Sequence, residues 1–155
     1  MQNISYRQML VAVDITNDEP WVGLRAGQIA ARFACAVHVL HVLEPDLPPG
    51  MSPATAGAVI NVPDLHESEA ERRAAAERDL AAYCVQTRLD DAHFSLRAGI
   101  ITHEILRTAQ SINADLIVLG THGRSGVARL LGSNASAVVH KAHCDVLTVR
   151  LPLNS

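Results

Sequence analysis

Five short strand-like runs, at residues 9–13, 37–43, 94–97, 116–119 and 146–149, alternate along the chain with segments of helical character. No other feature narrows the fold as much. Most of these runs are apolar at consecutive positions instead of every second one, the pattern of a strand buried on both faces, and such strands belong to parallel sheets. Parallel neighbours need a crossover between them, and the helical segments supply it. The expected fold is therefore α/β, a doubly wound five-stranded parallel sheet with helices on both faces and right-handed crossovers. At 155 residues the chain is expected to form one domain, residues 1–155, and about two-thirds of its unfolded surface can be buried at that size.

The connecting segments differ in kind. Thr16, Asn17 and Asp18 supply turn and capping chemistry ahead of a first helix from about Pro20, in which Leu24, Gly27, Ile29, Ala30, Phe33 and Ala34 recur near helical spacing and would lie on the sheet. Residues 44–64 hold five of the seven prolines, with Gly50 and Gly57 and no periodicity, and read as a long loop or lid. The stretch 65–89 is rich in Ala, Glu and Arg, which predicts a helix with a solvated charged face. Another helix is expected over 102–113, with Ile105, Leu106, Ala109 and Ile112 on one side.

The most informative stretch for function follows the fourth run. It breaks at Gly120 into a segment that also carries Gly123 and Gly126, and a second glycine step, Gly132-Ser133, precedes a helix over 134–141. Ser133 or Asn134 is expected to cap that helix. Glycine lets a backbone turn its amides inward and approach a ligand closely, and a helix start adds unpaired amides and partial positive charge, so the stretch outlines an anion site. It is not a P-loop, because no lysine follows any of these glycines, and it is not the GxGxxG of a dinucleotide fold, which sits near the first strand. In an open parallel sheet ligands collect outside the carboxyl ends of the strands, which would bring together Ala12 to Asp14, His41 and Val42, and Gly120 to Asn134. Asp14 fits either a contact to the ligand or a simple turn cap. His122 could face a phosphate, and Arg124 is the better partner because guanidinium pairs well with phosphate oxygens.

Other classes of function find little support. A formal charge of −3 with both signs interspersed gives no basic stripe, and 3% aromatics leaves few stacking platforms, so nucleic acid is not an expected partner. No apolar run approaches the roughly 20 residues of a membrane span, and the first ten residues lack the charged-then-apolar layout of a signal peptide, which predicts a cytoplasmic protein without membrane association. Cys35, Cys84 and Cys144 are odd in number and widely spaced, and read as small core residues. His140, His143 and Cys144 lack a second matched pair for tetrahedral zinc, so no metal site is expected. No cradle lysine, dedicated magnesium carboxylates or GxSxG elbow is identifiable, so no catalytic residues are assigned.

The order strand, Gly120-Thr121-His122-Gly123, a variable run, Gly132-Ser133, helix, then Cys144 to Arg150 resembles the C-terminal half of universal stress proteins. The nucleotide-binding branch of that family carries Gly, two residues, Gly, nine residues, Gly, then Ser or Thr; here the second gap, Arg124 to Leu131, holds eight. The resemblance covers nearly the whole chain and implies a flavodoxin-like or Rossmann-like sheet binding ATP, ADP or AMP. Residue by residue, it implies that the acid ending the first strand, Asp14, contacts ribose or adenine beside Ala12, and that the residue after the second-strand histidine, Val42, offers backbone contacts to adenine. The glycine steps Gly120, Gly123, Gly132 and Ser133 would hold the phosphates, with His122, Arg124 and Asn134 beside them and any Mg²⁺ held through the phosphates alone. It also implies a homodimer paired through the last strand, a nucleotide-responsive stress or regulatory role with at most slow hydrolysis, and an unidentified regulatory protein partner. The alternatives are a dimeric interaction module of the same fold that binds no nucleotide, and an enzyme of the ATP-pyrophosphatase or electron-transfer-flavoprotein groups, against which stands the lack of an SGGxxS-type loop after the first strand.

Overall fold

The computed structural model of the chain describes residues 5–15, 20–45, 50, 63–121 and 132–150, with the backbone alone for 63–68. Five parallel strands and four helices alternate among these residues: β1 (Gln8–Ala12), α1 (Trp21–Phe33), β2 (Ala36–Leu43), α2 (Pro63–Gln86), β3 (His93–Ala98), α3 (Ile101–Ser111), β4 (Leu116–Gly120), α4 (Ser133–Lys141) and β5 (Asp145–Val149). The spatial order is β3-β2-β1-β4-β5. From β1 the chain steps outward through β2 to β3, then crosses back to β4 and steps the other way to β5. Right-handed crossovers in opposite directions place their helices on opposite faces. Accordingly Val22, Ala26, Leu80 and Tyr83 from α1 and α2 pack on Met9, Val11 and Val39, while Ile105, Ala109 and Val138 from α3 and α4 pack on Leu10, Leu40 and Ile117. Adjacent residues of β1 thus enter different cores, as expected of a strand covered on both sides.

Register at the amino ends of the central strands is fixed by a carboxylate. Asp115, just before β4, accepts the Arg7 and Gln8 amides at 2.8 and 3.1 Å, and its own amide donates to the Gln8 carbonyl at 2.9 Å. The strand order reverses between the two central strands, β1 and β4.

Several expectations need correction. The buried stripe of α1 is Val22, Gly23 and Ala26, with Ile29 and Ala30 packed beside it, whereas Phe33 is 36% exposed and meets Tyr6 edge-on at 5.1 Å. Close helix packing explains the shift. Gly23 lies against Thr87 and its amide donates to the Tyr83 hydroxyl at 2.9 Å, so a small residue, and not Leu24, takes the tightest contact. Pro63 and Asp64, assigned to the loop, open α2, and residues 87–89 lie beyond its end; Arg88 has φ +59, which stops the helix. The remainder of the expected lid, 46–49 and 51–62, and the turn residues Thr16, Asn17 and Asp18 lie outside the described residues. Gly132 is the N-cap of α4, Ser133 is its first helical residue, and no side chain caps the end, so neither Ser133 nor Asn134 has the expected capping role.

The cysteines are free thiols. Cys84 is buried in the α1–α2 core, and Cys35 and Cys144 pack at core margins. Burial pushes all three thiols up from their ordinary value, which favours the protonated form.

Candidate functional site

A cavity of about 730 Å³ opens at the carboxyl ends of β1, β2 and β4, a size typical of small-ligand sites. Ala12 and Asp14 come from the end of β1, Val42 from β2, and Gly120 from β4, while Gly132, Ser133 and Asn134 bring in the start of α4. The structure thus gathers these sequence-designated residues around one space. His122, Gly123 and Arg124 lie outside the described residues.

The β2 wall is shaped by how β1 ends. In a parallel ladder, successive residues of a strand turn their peptide groups toward alternate neighbours. The Val13 amide donates to the Leu40 carbonyl and the Gly99 amide to the Leu43 carbonyl, so Leu40 and Val42 face β1 while His41 and Leu43 face β3. Pairing between β1 and β2 stops at Ala12↔Leu40. The Val13 carbonyl, which would meet the Val42 amide in a continued ladder, accepts from His41 Nδ1 at 2.9 Å instead. His41, only 6% exposed, therefore closes off the strand, and the peptide edge of Val42 turns toward the cavity. An N–H and a C=O side by side match a ligand edge carrying one acceptor and one donor.

The opposite wall carries donors of a different kind. The Gly132 amide donates to the Thr121 carbonyl at 2.8 Å, tying the start of α4 to the end of β4, and the Thr121 amide donates to the Val149 carbonyl at 3.0 Å. The first helical hydrogen bond runs from the Ser136 amide to the Gly132 carbonyl. The amides of the first turn precede it in the helix and have no side-chain cap, so this wall presents N–H groups and the positive end of a helix dipole.

Sequence reasoning found the helix now seen as α2 but missed that it forms part of the cavity wall. Arg72, Ala75, Ala76 and Asp79 line the cavity from that side, and Arg72 Nη2 donates to the Glu44 carbonyl. Their signal was a single Ala-rich face one helical turn apart, hidden in a run whose charges mark the exposed face. Thr121 was passed over as one more residue of the glycine segment. Ile101 and Ile105 form the apolar floor from α3.

An open, doubly wound parallel α/β sheet with a cavity where its strand order reverses defines the class of protein. The chain belongs to the universal stress protein family, whose model matches residues 5–150. It is 33% identical over 144 residues to universal stress protein A homolog 1 of Coxiella burnetii, covering 93% of this chain and 96% of that one. The universal stress protein UspA from Lactobacillus plantarum has a similar structure, with a TM-score of 0.69 and 28% identity over 96% of this chain and 100% of its own. A universal stress protein solved in complex with cAMP shares the fold, with a TM-score of 0.65 and 23% identity, covering 95% of this chain and 98% of its own.

Proposed function

We propose that this chain is a cytoplasmic, single-domain protein that binds an adenine nucleotide, ATP, ADP or AMP, in the cavity between β1, β2 and β4. The observation that carries the reading is the pairing of two walls across one space: a peptide edge at Val42 and the first-turn amides of α4, from Ser133 on, which no side chain caps. Adenine offers an acceptor beside an exocyclic amine, the complement of the Val42 edge, and phosphate complements the α4 amides. Asp14, between the two, is suited to accept ribose hydroxyls. Among the described residues no helix is long and apolar enough to cross a membrane, in keeping with a role in aqueous solution. A universal stress protein of this fold has been solved in complex with cAMP, an adenine nucleotide. Calorimetry with ATP, AMP and adenosine tests the reading: wild-type protein should bind all three, and Asp14→Ala should weaken all three alike. A protein that binds none of them is an interaction module instead.

Hydrolysis should be slow. The chain has one lysine, Lys141, which ends α4 about 12 Å along the helix from its first residue, so no lysine can sit in the phosphate cradle. A phosphate-release assay is expected to show turnover far below the roughly 1–100 per second of kinases. Several turnovers per second would overturn the binding-protein reading.

The homodimer is proposed through β5, an edge strand of the sheet. Val149→Lys is not a clean test, because Val149 is 8% exposed and belongs to the core. Leu147, 37% exposed, and Val139, 43% exposed, mark the accessible apolar side of this edge. Wild-type protein should sediment as a dimer at micromolar concentration, and Leu147→Lys as a folded monomer. A wild-type monomer would refute the pairing.

A further inference from the structure

One polar contact behind the cavity carries information about its ligand. Thr102, in the first turn of α3, is 8% exposed and is not among the residues lining the cavity. Its hydroxyl donates to Asn134 Oδ1 at 3.1 Å. Asn134, the second residue of α4, does line the cavity. An amide side chain has one acceptor end and one donor end, so holding Oδ1 against Thr102 turns Nδ2 away from α3. That Nδ2 has no protein partner among the described residues. Nor is it sealed in the core, since no buried side-chain nitrogen or oxygen among those residues lacks a partner. The two N–H groups of Nδ2 are thus left without a protein partner on a residue of the cavity wall, beside the first-turn amides of α4.

We propose that Thr102 is a positioning residue that fixes the Asn134 amide so that its Nδ2 donates to a phosphate oxygen of the bound nucleotide. The inference rests on the nucleotide reading above and adds to it a side-chain phosphate contact with its support. Without the threonine hydroxyl the amide can rotate and present Oδ1, which repels a phosphate oxygen. The contact also has a sign that backbone amides lack, because an isosteric carboxylate at position 134 converts donor into anion.

The test uses calorimetry with AMP and adenosine alongside thermal unfolding. Asn134→Asp should weaken AMP by roughly tenfold or more, since like charges meet at a partly desolvated contact. Adenosine should bind as before. The same variant should melt at or above the wild-type temperature, because an acid in the first turn of a helix is favourable; a merely structural role for Asn134 predicts no such separation of binding from stability. Thr102→Val should weaken AMP several-fold, Thr102→Ser should restore it, and Thr102→Val should have no further effect on AMP when Asn134 is already alanine. If wild type binds AMP and Asn134→Asp binds it equally well, or if Thr102→Val weakens AMP as much with alanine at 134 as with asparagine, the inference is wrong and the nucleotide reading stands. If wild type binds neither AMP nor ATP, the nucleotide reading itself falls, and this inference with it.

Discussion

Gly132→Val is expected to abolish binding of ATP, ADP and AMP in a protein that still folds. Gly132 has φ −57 and ψ 154, extended backbone that valine adopts without strain. Its amide bond to Thr121 and its carbonyl bond to Ser136 involve no side chain, so both survive the substitution. What changes is the space in front of the helix amides, where a branched side chain would stand between them and a phosphate. Ser133→Ala, in contrast, removes one neutral hydrogen bond at most and should cost about 1 kcal/mol of binding. The order of the two effects is the test. Calorimetry on variants shown by circular dichroism to be folded would decide it, and Gly132→Val protein that binds ATP like wild type would mean that the phosphates do not lie against the start of α4.

The largest effect on stability is expected at Gly23. A Cβ built there would lie 2.6 Å from Thr87 Cγ2 and 2.8 Å from both Cβ and Oγ1 of the same residue. Thr87 has nowhere to go. It is 1% exposed, β-branched, and its hydroxyl donates to the Tyr83 carbonyl at 2.8 Å. Replacing glycine by alanine inside a helix ordinarily stabilises by about 0.5–1 kcal/mol, but overpacking a tight core costs about 1–3 kcal/mol, so even Gly23→Ala should lower stability. Gly23→Val adds two more carbons and loses most of the propensity gain, and should cost roughly 3 kcal/mol. Urea denaturation should show a lower midpoint, and Thr87→Ala in the same chain should recover part of the loss through a favourable coupling between neighbours. An unchanged midpoint for Gly23→Val would mean that α1 and α2 separate at little cost.

Much of the fold could be read directly because its strands are buried twice over. A run such as Leu116 to Leu119 is apolar without a break, and no half-exposed strand would need that. Strand order was less accessible: the sequence contains the alternation, but the return from β3 to β4 across the sheet depends on which faces are left to cover. The stripe of α1 was misplaced because hydrophobic spacing finds large residues, whereas the closest contact is made by Gly23, which has no side chain to count. The cavity showed the same division. Positions marked by backbone chemistry, Gly120, Gly132 and the strand-end Asp14, were visible as motif and location. Arg72 and Asp79 reach the cavity from a helix face and Thr102 bonds to Asn134 from a second layer, placements that exist only once α2 and α3 have docked.

The bond from the Gly132 amide to the Thr121 carbonyl also bears on chain length. Thr121 and Gly132, the described residues on either side of 122–131, are joined by a peptide hydrogen bond of 2.8 Å. A connection closed in this way has its span set by the bond and not by the number of residues within it. By loop-closure statistics, lengthening a ten-residue connection by one changes the closure entropy by only on the order of 0.1 kcal/mol. The gap of eight residues where the nucleotide-binding pattern has nine can therefore be absorbed between the two anchors, leaving the start of α4 in place.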